Sequence, residues 1–136
     1  SMIRNIKNYK HLFVEAETLI NQMNLMDKKD QLIKNLSYGD QRLVELMLAL
    51  SSHPKILCLD EPNAGLSIAE SKTLVNTIKN IERDITILLI EHDIDLIFEI
   101  VDRIMVMRDG VFVAIDSKQN IRNNREVQMI YLGEDA

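Results

Sequence analysis

The sequence is poor in aromatic residues and cysteine, which several common classes of protein require. Among its 136 residues there is no tryptophan, aromatic residues make up only 4%, and there is one cysteine, Cys58. So few aromatic side chains make a platform for stacking nucleic-acid bases improbable. A single cysteine excludes a disulfide within the chain and is typical of a reducing compartment. The net charge of -5 has the wrong sign for attracting phosphate backbones, so we expect no nucleic-acid partner.

Long hydrophobic runs are missing as well. No apolar stretch approaches the roughly 20 residues that a membrane-spanning helix needs, and the first residues lack the core of a secretory signal. The hydrophobic fraction of 46% and the charged fraction of 27% are those of ordinary globular proteins. We therefore expect a cytoplasmic protein, or one held at a membrane by a partner.

Two short apolar runs, residues 56–59 and 85–90, predict parallel strands that are buried on both faces. Cys58 lies inside the first run, where we expect an inert core residue. Two further strands, 104–107 and 111–115, flank Asp109-Gly110, a dipeptide favoured in two-residue hairpin turns.

Helices are predicted between these strands. Apolar residues recur at helical spacing over 12–23 and over 43–50, the second helix beginning near Ser37. Ser67 and Glu70 have the spacing of a capping box, which predicts the start of another helix. A short helix is expected around 97–101, and one or two more in the polar tail, residues 117–132. The alternation of strand and helix predicts an α/β fold with parallel strands and flanking helices, followed by the hairpin and terminal helices.

Acidic residues follow both apolar strands. Asp60 and Glu61 come directly after the first, and Glu91, His92 and Asp93 after the second, so we expect them to share one rim of the sheet. An apolar strand that ends in Asp-Glu is typical of nucleotide hydrolases, in which one carboxylate orients Mg²⁺ and the other polarises the attacking water. Solvated turn acids and a structural histidine remain alternatives at this point.

A second candidate site lies at the start of a helix, in residues 36–42. Gly39 would allow close approach to the backbone, and the first N–H groups of the helix would be available to an anion. The alternative is structural, with Ser37 as the helix N-cap and Gly39 in a turn.

The order of these segments resembles the second half of an ATP-binding-cassette (ABC) ATPase. Residues 36–41 resemble the signature loop, 56–61 the Walker B strand, 63–66 the D-loop and His92 the switch histidine. The signature sequence, with Tyr38 in place of the usual glycine, and the tail segments 120–124 and 131–134 are similar to those of ATPase subunits of branched-chain amino acid importers. The resemblance covers about residues 10–134.

The resemblance implies a partial P-loop NTPase fold and a function in ATP hydrolysis that drives import of branched-chain amino acids. In this family ATP lies between two subunits in a head-to-tail dimer, and membrane permease subunits hold that dimer at the inner face of the membrane. Asp60 would hold Mg²⁺ through water, Glu61 would be the general base, and His92 would contact the γ-phosphate. The implied ATP-binding residues belong to the signature loop and the D-loop: Ser37, Gly39, Asp40, Gln41, Asn63, Ala64 and Gly65.

The sequence also departs from the family pattern. Asp40 stands where glutamine is usual, and because a carboxylate near phosphate is unfavourable, its role could instead be to cap the helix. Ser67 replaces an aspartate found in many members. No Gly-x-x-x-x-Gly-Lys-Ser/Thr occurs, since none of the four glycines is followed by lysine. The chain thus resembles a carboxyl-terminal fragment without Walker A, which we expect to be inactive alone.

The resemblance further predicts two divisions, residues 1–52 as a remnant of the helical subdomain and residues 53–136 as the carboxyl-terminal half of the RecA-like core. Two other functions stay open: a non-catalytic module that donates a signature half-site, and a fragment of a DNA-maintenance type ABC ATPase, for which a basic groove would be expected. Because strand 85–90 would lose a neighbour, we expect the isolated chain to self-associate.

Overall fold

The computed structural model describes residues 9–81 and 84–132. Within them the chain alternates helices and strands, which confirms the α/β class. The elements are α1 (Lys10–Gln22), α2 (Tyr38–Leu50), β1 (Ile56–Asp60), α3 (Ile68–Lys79), β2 (Thr86–Ile90), α4 (Ile94–Ile100), β3 (Arg103–Arg108), β4 (Val111–Ser117), α5 (Lys118–Arg122) and α6 (Arg125–Leu132), with 3₁₀ turns at Met26–Lys28 and Ile33–Asn35. None of the described helices has the length and hydropathy to cross a membrane.

The chain divides into two compact units, the first running to Glu91 and the second beginning at His92. The first contains α1 to β2, and the second contains α4 to α6 with the β3–β4 hairpin. The predicted subdomain boundary at residues 52 and 53 lies inside the first unit. That division of the chain stays a prediction.

In the first unit β1 and β2 pair in parallel, with Ile56 opposite Thr86 and Asp60 opposite Ile90. Successive side chains of a strand point to opposite faces of the sheet. Leu57 on one face is 5% exposed, whereas Ile56 and Leu88 on the other are 63% and 54% exposed. The prediction that both faces are buried is therefore wrong for the described residues.

Cys58 belongs to the exposed face, so its predicted place in the core is wrong as well. The physical reason lies in the layers around the sheet. An apolar run records that a strand is suited to burial, but a face is buried only where a second layer covers it.

The helices of the first unit supply most of its core. Buried leucines and branched residues recur at three- and four-residue spacing on α2 and α3, which pack together. Serines cap both helices. Ser37 Oγ accepts a hydrogen bond from the Asp40 N–H, which is the structural alternative for that residue, and Ser67 with Glu70 forms the predicted capping box. The buried residues of these two helices are Gly39, Leu43, Leu46, Leu74, Val75 and Ile78.

The second unit is built on the predicted hairpin. β3 and β4 are antiparallel, with an irregularity between Val106 and Met107. Asp109 and Gly110 have φ angles of 51° and 78°, which is the left-handed geometry that a two-residue turn requires. Val106 packs with Ile121 of α5 and Val127 of α6 in a small core, so the tail forms two helices that dock on the hairpin.

Candidate functional site

The acids that follow β1 and β2 meet at one edge of the sheet. The N–H of Glu61 donates to the carbonyl oxygen of Ile90 over 2.9 Å, which extends the ladder one residue beyond β1. Glu61 then takes a φ of 42°, so the chain turns sharply after the strand. Asp60 and Glu61 are both exposed. The structure thus places Asp60, Glu61 and Glu91 at a shared edge, as the sequence predicts.

The D-loop (63–66) is fixed at its first residue by a carboxylate from the neighbouring strand end. Glu91 Oε1 accepts a hydrogen bond from the Asn63 N–H over 3.1 Å, and the Ala64 N–H donates to the Glu61 carbonyl over 3.1 Å. Among the described residues, Asn63 Oδ1 is a buried oxygen with no hydrogen-bond partner. The D-loop therefore has a fixed backbone and one unsatisfied acceptor.

The signature loop (36–41) packs against the D-loop through Tyr38. A Cβ at Gly65, where φ is 77°, would lie 3.3 Å from Tyr38 Cε1. Arg42 holds the tyrosine from the other side, donating from Nη2 to the phenol oxygen over 2.6 Å, with its guanidinium carbon 5.0 Å from the ring centre. Glycine at 65 thus satisfies both the backbone angle and the close tyrosine ring.

The backbone of the signature loop is bonded within the first unit. The Gln41 N–H donates to the Ser37 carbonyl, and Gln41 Nε2 donates to the Leu36 carbonyl over 3.1 Å. The Gly39 N–H donates to Oε1 of Glu70 over 3.0 Å. The loop is therefore preorganised, and the group that comes close to Gly39 in this structure is a carboxylate of the same chain.

Asp40 forms an ion pair with Lys28, whose Nζ lies 2.7 Å from Oδ2. The hydrogen bond from Asp40 raises the pKa of the Lys28 ammonium above its usual value. Because Ser37 provides the side-chain cap of α2, the Asp40 carboxylate is engaged with Lys28 instead. A lysine beside the signature loop offsets the charge that Asp40 introduces there.

The carboxyl group of Glu70, at the start of α3, has a strongly lowered pKa. Its pKa is lowered to about 2, first by the hydrogen bond from the Ser67 hydroxyl, then by those from the Ser67 and Gly39 backbones, with a smaller contribution from the Ser37 hydroxyl. Glu70 is therefore ionised throughout the physiological range.

His92 opens the second unit, and Asp93 is the N-cap of α4, accepting a hydrogen bond from the Leu96 N–H over 3.2 Å. His92 is exposed. The predicted cluster of residues 91–93 is thus divided by role, since Glu91 holds the D-loop and Asp93 caps a helix.

Within residues 9–81 and 84–132, no group of three or more histidines, cysteines and acids is arranged to hold a metal ion. Asp60 offers one exposed carboxylate at the edge of the sheet. Mg²⁺ is commonly bound by one or two carboxylates together with substrate phosphates and water. Asp60 fits such a shared site, in which a nucleotide supplies the other ligands.

The motifs do not predict three of the contacts described above. These are the contacts of Lys28 with Asp40, of Glu70 with Gly39, and of Glu91 with Asn63. The capping-box spacing identifies Glu70 as a helix cap but gives no sign of its contact with a loop 31 residues away. Glu91 has only its position at a strand end as a signal.

Comparison with known proteins agrees with the geometry. Residues 2–64 match the family described as ABC transporter. LivG of Escherichia coli, a high-affinity branched-chain amino acid transport ATP-binding protein, is 41% identical over 121 residues, covering 88% of this chain and 48% of LivG. BraF of Pseudomonas aeruginosa, with the same description, is 38% identical over 118 residues, covering 85% of this chain and 46% of BraF. The chain spans about half the length of these relatives.

Solved structures share the fold. MJ1267 in its ADP conformation, an ATP-binding cassette of an ABC transporter, has a TM-score of 0.78 at 29% identity, covering 91% of this chain and 51% of MJ1267. The chain belongs to the ABC transporter ATPase family. A second MJ1267 structure has a TM-score of 0.81 at 28% identity, covering 98% of this chain and 53% of MJ1267. The architecture is thus part of the P-loop NTPase fold of ABC ATPases, as the motifs imply.

Proposed function

We propose that this chain belongs to the ATP-binding subunit of an ABC importer for branched-chain amino acids, in which ATP hydrolysis drives transport. The observation that carries the proposal is the similarity to LivG and BraF over at least 85% of the chain. Asp60 and Glu61 at the end of β1 add a site suited to that chemistry. The subunit would be cytoplasmic and peripheral to the membrane, bound to permease subunits, with residues 1–52 in the helical subdomain and 53–136 in the RecA-like core.

In this proposal Glu61 is the general base and Asp60 the ligand of Mg²⁺ that the nucleotide brings. When bound, Mg²⁺ neutralises charge on the phosphates. Glu61 follows the strand by one residue, and its φ of 42° turns the chain at that point. Its carboxylate is exposed and able to accept a proton from the attacking water. His92 would contact the γ-phosphate.

The signature loop would complete the nucleotide site of a second subunit in a head-to-tail dimer. Ser37 and the Gly39 backbone would donate to the γ-phosphate, with Asp40 and Gln41 beside them. The D-loop residues Asn63, Ala64 and Gly65 would cross to the partner. The buried oxygen Asn63 Oδ1, without a partner in the described residues, supports a contact of this kind.

The proposal is tested in a subunit that also carries a P-loop, and reading the gene in frame upstream of Met2 decides whether this chain is part of such a subunit. Glu61→Gln keeps the size and hydrogen bonding of the side chain but removes its basicity, so hydrolysis should fall by about 10² or more. ATP-driven dimerisation should survive. The matched control is Glu17→Gln, which changes an exposed acid of α1. Near-normal turnover in Glu61→Gln would reassign the base, with His92 as the next candidate.

His92 gives a second test in the same subunit. His92→Ala removes the imidazole proposed to contact the γ-phosphate, so hydrolysis should be impaired while the fold is kept, because the side chain is exposed. Turnover equal to that of the unchanged subunit would remove His92 from the site.

The second candidate is a non-catalytic module that lends a signature half-site to a partner, and the fixed backbone of the signature loop favours it. Calorimetry that measures binding of Mg-ATP to the chain distinguishes a signature half-site from a complete nucleotide site. We expect no micromolar binding and no turnover, because the Walker A backbone and lysine supply most phosphate contacts. The DNA-maintenance alternative is disfavoured by the net charge of -5.

A further inference from the structure

Glu70, the third residue of α3, contacts two separate segments with its two carboxylate oxygens. Oε2 accepts hydrogen bonds from the Ser67 N–H at 3.0 Å and from the Ser67 hydroxyl at 2.7 Å, which complete the capping box. Oε1 accepts from the Gly39 N–H at 3.0 Å. A capping box needs only the bonds to Ser67, so the contact with Gly39 has no role in capping α3.

Gly39 is buried beneath this carboxylate. A Cβ at position 39 would lie 2.6 Å from both Cγ and Oε1 of Glu70, far inside van der Waals contact. Glycine leaves room for the Glu70 carboxylate at this place, and a larger residue would have to displace it. While Glu70 stays in place, the Gly39 N–H already has a hydrogen-bond acceptor, and the space beside it is occupied by the Glu70 side chain.

The nearby Ser37 hydroxyl makes a small contribution to the lowered pKa of Glu70. Ser37 and Gly39 are the two groups to which the proposed function assigns the γ-phosphate. Glu70 thus places one negative group on the Gly39 N–H and near the Ser37 hydroxyl, as a bound anion would.

We propose that Glu70 is an internal anion that occupies the Gly39 N–H of the signature loop and has to leave it before a nucleotide phosphate binds there. The inference rests on the proposed function, since the roles of Ser37 and Gly39 toward phosphate come from it. It adds a regulatory step to that site, because closure of the dimer on ATP requires Glu70 to be displaced.

Competition and charge both follow from this geometry. One N–H donates strongly to a single acceptor, so the Glu70 carboxylate and a phosphate oxygen exclude each other. The two groups are also both negative, and like charges close together repel. Removing the carboxylate therefore frees a donor and removes a repulsion, and both effects raise phosphate affinity. A carboxylate that serves only to hold Gly39 in place for phosphate has the opposite effect when removed.

The test uses the ¹⁵N-labelled chain, with the Gly39 amide as reporter and sodium tripolyphosphate as the probe. In Glu70→Ala the Gly39 amide should exchange its hydrogen faster than in the unchanged chain, because its acceptor is gone. Its resonance should also respond at about tenfold lower tripolyphosphate concentration, the size of effect expected for one hydrogen bond to a charged group. Sodium chloride at matched ionic strength controls for screening.

Two further variants keep the test decisive. Ser67→Ala removes the capping hydroxyl but keeps the Glu70 carboxylate, so it should weaken α3 without changing the tripolyphosphate response of Gly39. If Glu70→Ala does not fold, Glu70→Gln replaces it, because glutamine retains an acceptor but has no charge. In Glu70→Gln the Gly39 resonance should respond at a lower tripolyphosphate concentration than in the unchanged chain, by less than the tenfold expected for Glu70→Ala.

The outcomes separate this inference from the proposed function. Equal responses in the unchanged chain and Glu70→Ala, or a weaker response in Glu70→Ala, would overturn the inference and leave the proposed function standing. A Gly39 amide that responds to tripolyphosphate in neither protein would overturn the inference together with the phosphate role of the signature loop. The Glu61→Gln experiment bears on hydrolysis alone and is independent of both.

Discussion

Two regions of the first unit differ in how many of their groups find partners within the chain. One is the acidic edge after β1 and β2, and the other is the outer face of the sheet, which carries Ile56, Leu88 and Ile90. At the edge, the Gly39 N–H, the Asn63 N–H and the Asp40 carboxylate all have partners within the unit, whereas Asn63 Oδ1 has none among the described residues. On the outer face, Ile56, Leu88 and Ile90 are each more than half exposed. Hydrogen bonds of loops and helix ends are made by nearby residues, whereas a sheet face is covered only by another layer. In the described part of the first unit, the loops therefore satisfy most of their hydrogen bonds with nearby residues, whereas one face of the sheet stays uncovered.

The largest expected effect compares neighbouring positions on the two faces of β1 and β2. Leu57 is 5% exposed and Leu88 is 54% exposed. Leu57→Ala should lower the free energy of unfolding by about 2–5 kcal/mol, because it leaves a cavity. Leu88→Ala should cost less than about 1 kcal/mol, since the side chain already contacts water. Urea unfolding followed by circular dichroism measures both. Similar costs at the two positions would mean that the outer face is covered in solution.

The second expectation concerns association of the isolated chain. Apolar side chains on the outer face and strand edges with unpaired backbone groups favour pairing with another copy. We expect a dimer by light scattering coupled to size exclusion, and Leu88→Lys should shift it toward monomer. Val14→Lys, at a position on α1 that is 64% exposed, is the matched control and should leave association unchanged. A monomer that is indifferent to Leu88→Lys would contradict this view of the sheet.

The features that the sequence predicts well depend on short stretches of chain. The capping box of Ser67 and Glu70 and the turn at Asp109-Gly110 are confirmed because their hydrogen bonds or backbone angles involve residues at most three apart. The parallel strands are confirmed because short apolar runs bounded by turn residues are suited to strands of a parallel sheet.

The features that the sequence misses depend on what packs beside them. The bond from Gly39 to Glu70 joins residues 31 apart, and the bond from Asn63 to Glu91 joins residues 28 apart. Neither spacing has a local signature. Cys58 was misplaced for the related reason that the apolar run reports suitability for burial, while exposure is set by the layers present.

The third expectation is a pH dependence of folding stability that originates at the Glu70 carboxyl group. The pKa of Glu70 is lowered from its usual 4.5 to about 2 in the folded chain. Between these values the unfolded chain binds a proton that the folded chain does not, so stability falls as the pH drops from about 4.5 toward about 2. Glu70→Gln removes this contribution. Its melting temperature should therefore decline less between about pH 5 and about pH 3 than that of the unchanged chain.

Asp116 also has a lowered pKa, mainly through the hydrogen bond from the Ser117 N–H, and it adds to the acid sensitivity of both proteins. The difference between their melting curves therefore isolates Glu70. Parallel declines with pH would show that the Glu70 carboxylate is not held as the structure has it.

The smallest expected effect tests whether Lys28 compensates for Asp40. Nζ and Oδ2 lie 2.7 Å apart, and the lysine is 34% exposed, so water and salt weaken the pair. Lys28→Met keeps the length of the side chain but removes the charge, and it should cost less than about 1 kcal/mol of unfolding free energy. Asp40→Asn in the Lys28→Met background should recover part of that loss, because it removes a carboxylate that is only 15% exposed and has lost its ion-pair partner. Urea unfolding of the two single variants and the double variant measures this coupling. If the second change recovers nothing, the pair does not compensate for Asp40, and the lysine is then a solvated neighbour of the signature loop.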